Sequence, residues 1–262
     1  MASGDHLELD LARISAHAPD LIRAIAKDEI ETVYQPQFAL ENDELIGGEA
    51  LARWQHPALG TIGAQTTFAI AEDQNAAARL SEKVVDAALA QFARWPEHLR
   101  LSVNLLPQEI SASDFAMRFL ARVRESRVDP ERLTVEITED VLLGDLHRAA
   151  RTLASLRDAG IAIALDDFGA GFCNFGYLKV LPLDYLKLDR SMVEGIDTDH
   201  RDLAILRGIA TMADALGLDV IAEGVEREAQ RAIVAAEGCK AYQGFLRAAP
   251  MDATSFRQLA LA

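Results

Sequence analysis

Apolar residues along the chain follow two alternating rhythms: short β-like runs, and longer stretches in which they return at helical spacing. An N-terminal helix is predicted over about 7–28, and the first β-run is ETVYQPQF at 31–38. A polar turn, ENDE, leads into LIGGEALARW at 45–54, which predicts a hairpin. Helices are predicted near 65–79 and 81–94, the second bounded by Pro96, followed by the strand LRLSVNLLP at 99–107. The alternation continues with a helix near 114–126, LTVEITE at 133–139, a helix near 146–159, IAIALDD at 161–167 and YLKLDR at 185–190. A helix near 200–217, DVIAEGV at 219–225, a helix over about 227–236 and AYQGF at 241–245 complete the pattern.

Eight β-runs separated mostly by helix-length segments predict an α/β fold with a parallel sheet flanked by helices. Eight strands in about 250 residues favour a closed barrel over an open doubly wound sheet. The opening hairpin adds one antiparallel strand. No Gly/Ser or Pro linker divides the chain, so a lead-in over 1–30 and a single barrel domain over 31–262 are expected.

The last residues of each run change the picture. The second strand carries Glu49, the third Asn104, the fourth Glu136 and Glu139, and the fifth ends in Asp166 and Asp167. The sixth offers Lys187 and Asp189, the seventh Glu223 and Glu226, and the eighth Gln243. In a barrel these ends converge on the face that holds the active site. Each residue alone reads as a cap, a turn residue or a solvated side chain. Seven strands ending this way are not explained by capping.

Two carboxylates about 5 Å apart repel by about 3 kcal/mol at an effective dielectric near 20. Gathering Glu49, Glu136, Asp166, Asp167 and Glu223 in one pocket would exceed the spare stability of a fold. Either some are protonated or divalent cations sit among them. None of the six histidines stands in HxH or HExxH spacing, so an all-oxygen site for Mg²⁺ or Mn²⁺ is expected, not zinc. Adjacent Asp166 and Asp167 can serve two ions, one carboxylate bridging and its neighbour binding the second. Paired ions about 3.5–4 Å apart suit phosphodiester cleavage. Lys187, expected at the rim, is placed to hold water or to steady transition-state charge, and Arg53 to grip a phosphate oxygen.

The bulk numbers narrow the partners. With 262 residues, 50% of them hydrophobic, the chain can fill one large core. A net charge of −15 argues against a nucleic-acid polymer or an anionic membrane. It leaves room for a small phosphorylated ligand beside a metal. Cys173 and Cys239 lack CxxC spacing, so neither a disulfide framework nor a thiolate zinc site is expected, and a reducing cytoplasm is. No apolar stretch approaches the ~18 residues of a membrane span, and MASGDHLELD lacks the features of a secretion signal.

Glu49-Ala50-Leu51 stands inside GGEALARW, and other segments join it in order: YQP at 34–36, VNLLPQ at 103–108, VEITE at 135–139 and ALDDFGAG at 164–171. LKLDRS at 186–191, IAEGVE at 221–226 and GCKAYQGF at 238–245 follow. Together these blocks resemble the EAL-domain family, bacterial phosphodiesterases of the second messenger cyclic di-GMP, from about Val33 to Phe256. The resemblance implies a modified (β/α)₈ TIM-like barrel with one antiparallel strand. It implies hydrolysis of cyclic di-GMP to linear 5′-pGpG with two Mg²⁺ or Mn²⁺ ions. As metal ligands it implies Glu49, Asn104, Glu136, Asp166, Asp167 and Glu223. Lys187 matches the lysine that contacts the attacking water, with Glu49, Asp189 and Glu139 in the catalytic set, Glu139 anchoring the loop after the paired aspartates. Gln35, Leu51, Arg53, Glu226 and Gln243 match positions at the substrate. The family further implies a homodimer through the loop after Asp167 and an associated sensory or GGDEF domain.

Two departures stand out. The usual DDFGTGYSS loop is DDFGAGFCN here, so Ala170, Phe172, Cys173 and Asn174 remove hydroxyls that fix it. IGAQTTFAIAE lacks the proline common after the signature strand, while Phe68 and Glu72 persist. Two other readings stay open. A silent cyclic di-GMP sensor or docking module would usually have lost a metal ligand or the lysine, and none is missing. A barrel abstracting a proton beside a carboxylate, with Mg²⁺ and a strand-end lysine, would usually carry a capping domain.

Overall fold

A hairpin sets the architecture. Strands β1 (Ile30–Ala39) and β2 (Leu45–His56) pair antiparallel, with Gln35 opposite Glu49 and a register shift between Gln37 and Phe38. The structure, a computed structural model, describes residues 18–27, 29–140, 144–170 and 175–261. A short β3 (Gly60–Ile62) folds back on the end of β2. Then β4 (Arg100–Asn104), β5 (Leu133–Ile137), β6 (Ala162–Phe168), β7 (Tyr185–Leu188), β8 (Asp219–Ala222) and β9 (Ala241–Gln243) add in parallel. Because β1 pairs with both β2 and β9, the sheet closes into an eight-stranded barrel with β3 outside it. This is the expected modified (β/α)₈ barrel with one antiparallel strand.

Helices α1 (Ala18–Ala26), α2 (Ala64–Asp73), α3 (Ala77–Phe92), α4 (Pro107–Ile110) and α5 (Phe115–Ser126) belong to the first half. Helices α6 (Leu146–Arg157), α7 (Arg190–Val193), α8 (His200–Ala215), α9 (Glu228–Ala236) and α10 (Ala253–Leu259) follow. Asp145, Asp199 and Asp252 cap α6, α8 and α10, their carboxylates accepting from backbone N–H groups of the first turn. The helix predicted over 65–79 is interrupted, because Asn75 adopts a left-handed φ of 52° between α2 and α3. Strands also end earlier than predicted, β4 at Asn104 and β9 at Gln243, where the chain turns into rim loops. Part of the predicted 7–28 helix lies outside the described residues.

Strand alternation sorts the side chains. Along β2, Ala50, Ala52 and Trp54 are buried in the outer layer, while Glu49, Leu51 and Arg53 take the other face. The Gly47-Gly48 pair lets neighbours close in. A Cβ on Gly47 would lie 2.5 Å from the Arg100 carbonyl oxygen, and one on Gly48 would lie 2.6 Å from the Phe256 ring. The main core fills the space between barrel and helices; a second cluster joins Leu21, Ala24 and Ile25 of α1 to Trp54, Ile70 and Leu80.

At the hairpin tip Asp43, with φ 63°, accepts from Arg231 Nε at 3.0 Å, from the Tyr242 hydroxyl and from Arg247. Arg247 also pairs with Glu228 at 2.9 Å. Burial acts against the Asp43 charge, yet these donors hold its carboxyl below the usual carboxylate range. The network ties the tip to α9 and to the segment after β9.

Candidate metal centre at the barrel mouth

Two adjacent residues of a regular strand point to opposite faces, so Asp166 and Asp167 need a local irregularity to share a site. They have one: pairing of β6 with β7 shifts between Leu165 and Phe168, and Asp167 adopts a left-handed φ of 54°. Asp166 is buried and Asp167 exposed.

Around them the barrel closure assembles acids from separate strands. Lys187 Nζ lies 2.6 Å from Glu136, 2.7 Å from Glu223, 2.9 Å from Asp166 and 3.3 Å from Glu49. Its side chain is 0% exposed. The lysine expected at the rim is therefore the buried hub of the cluster, because β7 places it on the inner face. An ammonium has three donors, and here it meets four carboxylates.

Neutral amides complete the inner layer. Asn104 Nδ2 donates to Glu49 Oε1 at 2.8 Å. Gln243 Nε2 donates to Glu49 Oε2 at 2.9 Å and Glu223 Oε1 at 3.1 Å, while its own Oε1 accepts from Gln37 at 3.0 Å. Gln37 was missed in the sequence, although its spacing of two from Gln35 places both on one face of β1.

The electrostatics follow from burial. Burial, and then the Glu49 charge, push the Glu136 carboxyl well above the usual range. Burial also raises Glu223 well above it, despite Lys187. Burial and Asp166 lift Asp167 to about 6. Glu49 is lowered: burial opposes its charge, but Lys187 and hydrogen bonds from Gln243 and Asn104 outweigh that. Burial opposes the Lys187 charge as well, and its carboxylate neighbours, Asp166 first, raise it well above an ordinary lysine.

Two triads have one carboxylate oxygen from each member within 4.8 Å of the others: Glu49, Glu136 and Asp166, and then Asp166, Asp167 and Glu223. Asp166 is common to both. Glu136 Oε1 is buried without a hydrogen-bond partner. An all-oxygen set with an orphaned carboxylate oxygen and surplus negative charge fits hard divalent cations.

The remaining predicted residues lie around this cage. Gln35 is buried, and its amide donates to the Ala248 carbonyl at 2.8 Å. Half-buried Arg53 donates to the Ala52 carbonyl at 2.8 Å, and burial lowers its pKa while Glu49 opposes that. Asp189 accepts from Ser191 at the start of α7. Glu226 is exposed and pairs with Arg190 at 3.1 Å, outside the acid cluster. Glu139 is also outside it, accepting from the Tyr177 hydroxyl. Phe172, Cys173 and Asn174 lie outside the described residues; Ala170 is exposed. A cleft of about 1240 Å³ runs from Glu49, Leu51, Asp166, Asp167 and Asp189 to the face of α2.

The barrel and its acid-lined mouth define a modified TIM-like barrel whose buried carboxylates are suited to a divalent cation, and comparison with known proteins gives the family. The EAL domain model matches residues 18–250, and the chain belongs to the EAL domain family. It is 36% identical over 244 residues to an uncharacterized protein of Mycobacterium bovis, an alignment covering 91% of this chain and 39% of that relative. The chain thus spans about two fifths of such relatives. It is 32% identical over 252 residues to the cyclic di-GMP phosphodiesterase RocR of Pseudomonas aeruginosa, covering 95% of this chain and 64% of RocR. Among solved structures, the PaMucR phosphodiesterase in complex with c-di-GMP matches with a TM-score of 0.85 and 32% identity, over 90% of this chain and 98% of that one. No helix among the described residues is long and apolar enough to cross a membrane.

Proposed function

We propose that this chain hydrolyses cyclic di-GMP to linear 5′-pGpG. The observation that carries the reading is the pair of carboxylate triads sharing Asp166 around one buried lysine. We assign Glu49, Asn104, Glu136, Asp166, Asp167 and Glu223 as ligands of two Mg²⁺ or Mn²⁺ ions. Asn104 has its Nδ2 turned to Glu49, so its amide oxygen is the atom left for a cation. When bound, such ions supply Lewis acidity, lowering the pKa of water and balancing charge on the phosphoryl oxygens.

The chain's own groups do the rest. Lys187, whose three donors face four carboxylates in this structure, would be freed where those carboxylates hold cations, and then donates to the attacking water and steadies the negative charge that grows on phosphorus oxygens. Water oxygen bonds to phosphorus as the bond to the 3′ oxygen breaks, and a proton ends on that oxygen. Gln243 and Asn104 hold Glu49 in place. Asp189 supports the site from the start of α7, and Glu139 anchors the segment after Asp167 through Tyr177. Gln35, Leu51, Arg53, Gln243 and Glu226 contact substrate, Arg53 gripping a phosphate oxygen. We assign the catalytic barrel to 31–262 and place it in the bacterial cytoplasm. In this reading the chain works as a homodimer through the loop after Asp167 and under a sensory or GGDEF domain.

Incubation with cyclic di-GMP and Mn²⁺, followed by chromatography for pGpG, tests this. Wild type should yield pGpG and Glu49→Ala should not, with both retaining the same circular dichroism. Tight binding with no product from wild type would replace the enzyme by a sensor.

A further inference from the structure

Helix α2 has two working faces. Thr67, Ile70 and Ala71 are buried. Gln65, Phe68, Ala69 and Glu72, spaced i, i+3, i+4 and i+7, line the cleft that holds Glu49 and Asp166. The polar face of a surface helix is ordinarily turned to bulk water. This one borders a ligand-sized cavity, and it sets an aromatic ring between an amide and a carboxylate. Glu72 is exposed, and its carboxylate has no hydrogen bond or ion pair among the described residues.

The cleft is already oversupplied with carboxylates, so Glu72 cannot serve a phosphate. Its complement is an uncharged ligand edge rich in donors. Guanine has that edge, with N1–H and the exocyclic N2–H side by side, and a planar face to pack on a ring such as Phe68. Hypoxanthine keeps only the first donor, and adenine presents an acceptor at N1.

We infer that α2 is the base-reading wall of the cleft: Phe68 packs against one guanine of the substrate, and Glu72 accepts from its N1–H and N2–H. This rests on the proposed hydrolysis of cyclic di-GMP and adds the element that selects guanine.

Glu72→Gln is the direct test, since an exposed side chain without partners is replaceable without loss of fold. KM for cyclic di-GMP should rise at least about 10-fold with kcat within about 2-fold. The penalty should shrink on cyclic di-IMP, whose bases lack the N2 amine. Phe68→Leu should raise KM for both dinucleotides alike. Glu97→Gln, an exposed acid away from the cleft, should change nothing. An unchanged KM in Glu72→Gln, or an equal penalty on both dinucleotides, in a wild type that turns over cyclic di-GMP, overturns the wall alone. A wild type that neither binds nor hydrolyses cyclic di-GMP overturns the proposed function and the inference with it.

Discussion

Two charged hubs hold this molecule, and they are near mirror images. At the hairpin tip one carboxylate, Asp43, faces two guanidiniums and a phenol, and Glu228 takes up the extra positive charge. At the barrel mouth one ammonium, Lys187, faces four carboxylates, with Asp167 alongside and, among the described residues, no second cation paired to them. The first hub is balanced and partly solvated, which is how a structural clamp behaves. The second is buried at its centre and in deficit of positive charge. Such a deficit is relieved by protons held on the acids or by a divalent cation among them.

The most severe way to break the contrast is Lys187→Met. Proposed turnover should fall by at least about 100-fold. The metal-free protein should lose about 3–5 kcal/mol in urea titrations, because buried acids lose their partner. An unchanged unfolding midpoint in chelator would mean that the lysine is no hub. Next, Mn²⁺ at about 100 times its dissociation constant should stabilise wild type by about 2.7 kcal/mol, read as a concentration-dependent rise in melting temperature. Asp43→Asn should keep that rise in full. A metal-independent melt would remove the cage from the comparison.

pH separates the hubs by sign. Asp167 has a folded value near 6 against an unfolded 3.8, raised mainly by burial, and Glu136 and Glu223 shift the same way, Glu49 alone in that hub shifting down. The folded, chelated protein then holds protons that the unfolded chain releases. The contribution of these three raised acids should therefore be greatest at low pH, about 1 kcal/mol of it being lost from Asp167 as pH climbs from about 4 through 6. Asp43 is shifted down, so its contribution is present above the unfolded value of 3.8 and is lost on acidification below that. Denaturant midpoints at a series of pH values in EDTA, for wild type and Asp43→Asn, would expose both slopes. As small an effect is that of Asp43→Asn itself at neutral pH: about 1 kcal/mol of stability, with kcat unaltered.

The eight barrel strands were legible because the runs are short and rich in apolar residues, several of them alternating as in LTVEITE or apolar throughout as in IAIAL, and polar residues mark their ends. Elements without a period were not: β3 has three residues, and α4 and α7 four each. The break at Asn75 is hidden among alanines, which favour continuing the helix. Candidate acids could be named from strand ends alone. The burial of Lys187 could not, because a single lysine is usually solvated. Its neighbours arrive from β2, β5, β6 and the end of β8 only when the barrel closes. The shared role of Asp166 in both triads depends on the φ of Asp167, which no local pattern announces.

Strand β2 sorts its residues by parity, odd positions Glu49, Leu51 and Arg53 on the face that carries the signature acid and even positions Ala50, Ala52 and Trp54 on the face that joins the oily shell. A one-codon insertion or deletion there would exchange the two sets, thrusting an indole into the ligand space and a carboxylate into hydrocarbon. Length changes in this stretch are therefore survivable only in pairs, and a lineage can drift in its chemistry far more easily than in its spacing.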